Sequence, residues 1–250
     1  LTIADQFGWS AAFFSAAGLF LALNLGVALR GEMPVRALEH RAPASVRRYV
    51  KERVNRRILV LVFGVAFALQ MPSAVIGPFL SSKGLTLSEI GATIGIAASL
   101  GAGVSLAIAS FAIRRVGVKR LAYWLIPVGL LAAPAFLWLA QSQGPTVPLV
   151  IGAIFWGALC TAPLRMVFYA ARLGWTSTAQ AGTDFTLQQS VWFLGHASAM
   201  AAGGLLAAQI GWFWFFVLNA FLTTLAMAVF IANFDGIERE AQALKGSDAP

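Results

Sequence analysis

Four residues near the end of this chain recur at helical spacing inside one apolar stretch: Gln188, Gln189, Trp192 and His196. Gln188, Trp192 and His196 step by four, while Gln189, Trp192 and His196 share one face of a helix. A histidine changes charge near neutral pH, its unperturbed pKa being about 6.5. Near the middle of a membrane-length segment it lies too deep to extend its side chain to water. The stripe therefore predicts a surface that handles a proton or a polar solute. A neutral histidine hydrogen-bonded to a neighbouring helix explains the same pattern as packing, and on the residues alone both readings stay open.

Ionisable residues inside the apolar stretches are few. Arg165 and Asp184 stand on either side of a short predicted loop. Antiparallel spans would bring them to similar depths, and pairing would lower the cost of burying either charge. This predicts an Arg165–Asp184 pair that acts either as a clamp at the membrane edge or as a switch between inward-open and outward-open states. Gln70 precedes Met71 and Pro72, with Pro78, Gly64 and Gly77 in the same stretch. Proline in a span frees backbone carbonyls that must be satisfied elsewhere or line a cavity. The segment reads as a bent helix with Gln70 facing a solute, or as a static kink, and Pro163 beside Arg165 makes a similar case. Asn24 and Asn219 read as helix contacts, Trp138, Trp156 and Trp175 as packing or interface anchors, and Glu89 as wet and interfacial. Gly91 and Gly95, spaced as Gly-x-x-x-Gly, predict tight helix packing.

The elements that must position these residues are membrane spans. The chain of 250 residues is 59% hydrophobic and 11% charged, with a mean hydropathy of +0.77, far from a soluble domain. A bilayer core needs about 20 apolar residues per helix, and seven such stretches stand near 9–30, 57–80, 88–112, 121–140, 148–171, 182–208 and 211–234. The expected class is all-α and polytopic. Arginine and lysine crowd into the segments 30–57 and 113–120, the end of the fifth span and the tail, whereas Lys83 is the one basic residue in the alternate loops. The positive-inside rule puts the basic segments and the C-terminus in the cytoplasm. The net charge of +8 reflects that topology and contact with anionic headgroups, and needs no nucleic acid. Cys160 is the single cysteine, so neither a disulfide framework nor a cysteine-based metal site forms within one chain. No cofactor or metal motif stands out.

An internal echo narrows the architecture. Gly8, Trp9 and Phe13 match Gly211, Trp212 and Phe216 at identical spacing, each set at the outer start of a span. An interfacial aromatic belt explains such a match; so do repeated halves. If the repeat unit is six helices, the first span is helix 6 of twelve, the others are helices 7–12, and five upstream helices are missing, in keeping with a chain that starts at Leu1. The expected organisation is 1–30 as helix 6, 31–56 as a solvated basic linker, 57–234 as a six-helix bundle and 235–250 as a solvated tail. Pro34 and Pro43 break the linker, and Ser45 to Arg57 can form a short basic helix.

With that topology, central basic loop and Gly-Trp-x-x-x-Phe motifs, residues 1–234 resemble the major facilitator superfamily. The short loop Arg114-Arg115-Val116-Gly117-Val118-Lys119-Arg120 is similar to the basic, glycine-containing turn that this family carries between neighbouring helices. It keeps Arg115, Gly117 and Lys119, but Arg114 stands where the family has an acidic residue, which leaves no expected gating salt bridge from this loop. A narrower resemblance rests on Ala181-Gly182-Thr183-Asp184-Phe185-Thr186-Leu187-Gln188-Gln189-Ser190, followed by the glycine-rich Ala201-Ala202-Gly203-Gly204. This segment is similar to its counterpart in ferric-siderophore importers and muropeptide permeases. The resemblance implies a proton-driven importer in a bacterial inner membrane, with a small-molecule substrate, the lipid bilayer and the missing N-terminal half as its partners.

Other classes fit less well. There is no Gly-x-x-x-x-Gly-Lys-Ser/Thr motif for ATP hydrolysis. No span contains the lysine that a retinal Schiff base needs, and a ligand receptor has no positive feature. A membrane enzyme would need a denser polar cluster than His196 and Asp184 provide.

Overall fold

The computed structural model describes residues 2–28, 45–177 and 180–247. Residues 31–44 of the expected linker, with Pro34, Arg36, Arg41 and Pro43, lie outside the described residues, as do Arg30 at the end of the expected first span and the side chain of Trp9. The described residues form helices joined by short turns: α1 (Thr2–Ala28), α2 (Val46–Lys51), α3 (Arg53–Ser82), α4 (Leu87–Ala92), a π-helical turn (Thr93–Ala98), α5 (Ser99–Val116), α6 (Val118–Leu130), α7 (Ala132–Gln141), α8 (Val147–Trp175) and α9 (Ala181–Ser247).

Five stretches are long and apolar enough to cross a membrane: Arg53–Ser82, Leu87–Val116, Val118–Gln141, Val147–Trp175 and Ala181–Lys245. A sixth apolar stretch, Phe13–Ala22 in α1, is shorter. Seven expected spans become six because 182–208 and 211–234 both fall on α9. A straight helix of 67 residues would run about 100 Å, more than three bilayer cores. Gly211 breaks it, with φ 75° and ψ 162°, a conformation essentially restricted to glycine. Before the break, Gly195 lies against Phe63 and Phe67 of α3, and Gly203 lies against Met71 and Val75. Beyond it, Phe216 meets Phe79, Asn219 meets Ala68 and Asn233 meets Arg57. The chain climbs beside α3, turns at Gly211 and descends beside the same helix. Gly8 in α1 has the same backbone shape, φ 84° and ψ 164°, so the sequence echo between the two sites is also a backbone echo.

Small residues set the tightest seam. Gly195, Ala199 and Gly203 follow at four-residue spacing and are buried on one stripe of α9. A Cβ on Gly195 would stand 2.8 Å from the Phe63 carbonyl oxygen, and one on Gly203 would stand 3.0 Å from Val75. α3 packs along α9 over most of its length, whereas α8 packs chiefly on α5 and α6, and α3 and α8 meet at few points. Of the two glycines expected to pack tightly, Gly91 and Gly95, the second does not. A Cβ on Gly95 would meet open space, but one on Gly101 would reach within 2.5 Å of the Phe155 carbonyl oxygen.

Large apolar side chains also point outward: Phe20 is 70% exposed, Val60 73% and Trp124 74%. Contiguous apolar surface of this kind suits a bilayer rather than water. Two stretches expected to be solvated are docked instead. Tyr49 in α2 is only 2% exposed. After Phe234 the helix continues to Ser247, with Ile237 and Ala241 buried in the core and Arg57 paired with Glu240 at 2.8 Å. The apolar residues at 234, 237 and 241 keep the helical period beyond the span, which the charges around them disguise.

Candidate functional site

The site grows out of a defect in α3. Pro72 has no N–H to give the Ala68 carbonyl one turn earlier. Asn219 Nδ2 of α9 donates to that oxygen at 2.8 Å, and Thr223 Oγ1 does so at 3.4 Å. The next carbonyl, that of Leu69, accepts from Arg165 Nη2 of α8 at 3.2 Å. The same nitrogen donates to Ser73 Oγ at 3.0 Å. The Ala68 carbonyl freed by Pro72 and the neighbouring Leu69 carbonyl thus serve as acceptors for two other helices.

Beside this junction lies a cavity of about 230 Å³. Its walls come from α3, the π-helical turn, α5, α6, α7, α8 and the part of α9 after Gly211. Ile76, Ile94, Phe136 and Ile154 make it largely apolar, with Ser73 and Asn219 among its polar groups. Arg165 is its one charged lining residue. Arg165 Nε is buried and has no hydrogen-bond partner among the described residues. Among the described residues no acidic side chain pairs with it. π-helical turns recur at functional sites, and here Ile94 from that turn forms part of the wall.

A second polar cluster occupies the basic end of the bundle. Arg172, two turns after Arg165, is 2% exposed. Its Nε donates to Gln188 Oε1 at 3.3 Å and its Nη2 to Gln189 Oε1 at 3.2 Å. The guanidinium lies over the rings of Phe185 and Trp192, at 5.3 and 5.5 Å from their centroids. Gln188 Nε2 donates to the Tyr49 hydroxyl at 3.2 Å, and Ser45 N donates to Gln180 Oε1 at 3.0 Å. Burial pushes the Tyr49 hydroxyl from an ordinary 10.0 up to about 12, against the hydrogen bond from Gln188, which lowers it. At the opposite end Lys83 Nζ donates to the carbonyls of Ala140 and Ser142 at 2.6 and 2.8 Å, and burial lowers its pKa.

The sequence-predicted residues divide between these places. Gln188, Gln189, Trp192 and Asp184 come together at the basic end, not around the cavity. Arg165 lines the cavity alone. The expected Arg165–Asp184 pair does not form. α8 runs on to Trp175, so Arg165 lies ten residues from its end, about 15 Å along the axis, whereas Asp184 stands in the first turn of α9. The Asp184 carboxylate instead accepts from Ser177 N at 3.0 Å and Gln180 Nε2 at 2.9 Å, closing its own turn. Gln70 does not reach the cavity. Leu69, Pro72, Ser73 and Ile76 line it, and Gln70 sits about 100° round the helix from Leu69. His196 is half-buried, lies off the cavity wall and makes no hydrogen bond with a described residue.

In the basic loop, Gly117 turns the chain between α5 and α6 with φ 81°, and Arg114 and Arg115 end α5. Arg115 lies 5.0 Å from the Phe111 ring centroid. Although the loop lacks an acidic residue of its own, it carries an ion pair through Lys119 and Asp235 of α9.

Sequence reasoning missed three residues. Arg172 reads as one more basic residue at a span end. Tyr49 sits in what reads as linker. Asn219 reads as a peripheral contact, although an amide in a helix near Pro72 is the partner that a freed carbonyl calls for. A sequence model of the Major Facilitator Superfamily matches residues 1–169, a stretch that includes Arg165.

Proposed function

The chain belongs to the Major Facilitator Superfamily, and from that premise we propose that the cavity bordered by Arg165 is the substrate site of a proton-driven importer. At the level of the superfamily the protein is a secondary transporter, multi-pass in the membrane, that binds a small molecule. The finer reading is import of a ferric siderophore or a muropeptide-like solute across a bacterial inner membrane, with the basic end in the cytoplasm.

One observation carries the choice of site: a half-buried guanidinium, its Nε sealed from solvent and without a partner among the described residues, on a largely apolar wall where α3 meets α8 beside Pro72. Sites in secondary transporters lie near the bilayer midplane, beside broken or bent helices. The common backbone shape at Gly8 and Gly211 supports the assignment of α1 to the end of one half and of the later helices to the other, within twelve. A cavity completed by both halves then opens and closes by rocking. His196 on α9, half-buried and without a described hydrogen-bond partner, is the proposed proton carrier. Arg114, Arg115, Gly117 and Lys119 form the proposed gating loop, with Lys119 held by Asp235.

Uptake of a radiolabelled ferric siderophore tests this reading, in cells that lack their own inner-membrane importer and express the complete transporter. Uptake should collapse with a protonophore and fall when His196 is replaced by Ala. Properly inserted protein that transports neither siderophores nor muropeptides would remove the finer substrate reading. Uptake indifferent to the protonophore would remove the proton.

A further inference from the structure

We propose that Arg165 is the docking point for the carboxylate of an organic anion whose remaining body is apolar. The inference rests on the reading of the cavity as the substrate site, and it names the chemical class that site accepts.

The argument starts from donors. A guanidinium has five N–H donors in a planar fork and no acceptor. In Arg165 one nitrogen serves both Leu69 O and Ser73 Oγ, and Nε has no partner although it is buried. A buried cation without a counter-ion is costly, and the cost falls when an anion with hydrogen-bond acceptors is brought to it. Among the described residues the protein supplies none: the nearby polar wall groups are hydroxyls and the Asn219 amide, all neutral, and Asn219 Nδ2 is given to the Ala68 carbonyl. Arg172 shows how the same helix completes a buried guanidinium when it is structural, with two amide oxygens and two aromatic rings. Arg165 has no such set. Its fork suits a planar two-oxygen anion, which it can bind through two parallel hydrogen bonds.

The rest of the wall sets the body of the ligand. Ile76, Ile94, Phe136 and Ile154 offer no charge and favour hydrocarbon. A volume of about 230 Å³ lies below the usual range of roughly 300–1,000 Å³ for whole-ligand pockets. It suits a short-chain carboxylate, or the carboxylate end of a longer solute whose remainder reaches beyond this bundle.

The test uses the complete purified transporter and a probe series of one size: hexanoate, hexanamide and hexylamine. Binding is read by isothermal titration. Hexanoate should bind, and both the neutral amide and the amine should bind at least about tenfold more weakly, as expected when a charge-assisted hydrogen bond is lost. Arg165→Gln should weaken hexanoate by about ten- to a hundredfold and leave hexanamide unchanged. Arg165→Lys, which keeps the charge without the fork, should fall between, and it decides the matter if the glutamine variant does not fold. Arg48→Gln, at the basic end, should change nothing. Equal binding of the three probes, or hexanoate binding unaffected in both Arg165 variants, overturns the proposal. An acidic residue from another part of the transporter that already fills the fork would give the second of these results. The two readings fail separately. Protonophore-sensitive uptake with no preference for carboxylates sinks the anion site alone. Arg165-dependent hexanoate binding in a protein that transports nothing sinks the importer alone.

Discussion

Arg165 and Arg172 stand seven residues apart on α8 and so face nearly the same side of that helix, yet they are built into the protein in opposite ways. Arg172 is enclosed: Gln188, Gln189, Phe185 and Trp192 occupy it from several directions, and Gln188 passes the contact on to Tyr49. Arg165 is enclosed on one side only. It fastens to the Leu69 carbonyl and Ser73, the residue lines the cavity, and its Nε, sealed from solvent, has no partner among the described residues. Burial differs between the two, Arg172 being 2% exposed and Arg165 half-buried. What separates them is whether the protein itself completes the hydrogen bonding of the group, and a cation left incomplete beside open space is suited to binding while a completed one is suited to holding.

Replacing each arginine in turn is the hardest test of that contrast. Arg172→Ala should lower stability by about 3 kcal/mol, since it strands the buried Gln188 oxygen, the half-buried Gln189 oxygen and a packed aromatic cage. Arg165→Ala should cost less than about 1 kcal/mol, because removal of an unpaired buried cation offsets the two lost hydrogen bonds. Thermal midpoints of the purified protein compare the two directly. Equal losses would erase the distinction. In uptake the ranking should reverse, with Arg165→Ala at least about tenfold below the parent per inserted molecule.

A smaller effect probes the junction that holds Arg165 in place. Asn219→Leu should cost about 1–3 kcal/mol by leaving the Ala68 carbonyl with little beyond the long contact from Thr223. In a Pro72→Ala background the restored N–H can serve that carbonyl, so the same substitution should then cost less. A double-mutant cycle in thermal stability measures the coupling, and strict additivity would show that Asn219 does something else.

The smallest effect at neutral pH belongs to Tyr49. Tyr49→Phe removes one acceptor from Gln188 and should cost about 1 kcal/mol. Its signature lies at high pH. The folded pKa of about 12 is above the ordinary 10.0, so this hydroxyl supports the folded state fully below pH 10 and loses that support as pH rises towards 12. The loss amounts to about 2–3 kcal/mol. Unfolding followed across that window should show the decline in the parent and a shallower one in the Phe variant.

Much of the fold is legible in the sequence because two independent signals agree: apolar stretches of spanning length and arginine crowded at alternate ends of them. The turn at Gly211 is legible too, through its echo at Gly8, although helical hydrogen bonding alone runs the two spans into one. The site is less legible. Stepping by four correctly groups Gln188 with Trp192, since they share a helix face, but it cannot say what that face meets. It meets Arg172, whose type reads only as a topological charge. Asn219 and Ala68 lie 151 residues apart, and no local pattern joins them. Gln70 fails as a lining residue because the face of α3 that turns to the cavity is chosen by packing on α9. Arg165 and Asp184 fail as a pair because α8 runs on to Trp175, about a turn past the expected span end at 171, which leaves Arg165 ten residues short of the turn that Asp184 closes.

The seam at Gly195, Ala199 and Gly203 has a mechanical consequence. Two helices that touch at the backbone near Gly195 and close over Val75 and Met71 at Gly203 bend together as a single beam. α3 and the rising part of α9 therefore form the stiff member of this bundle, and α8 with α5 and α6 forms the other. Two guanidinium groups tie α8 to that beam: Arg172 to Gln188 and Gln189 of α9, and Arg165 to the Leu69 carbonyl and Ser73 of α3, the second beside a turn that proline leaves one hydrogen bond short. In the rocking proposed for this transporter, a ligand on Arg165 would bear on the second tie and leave the first alone.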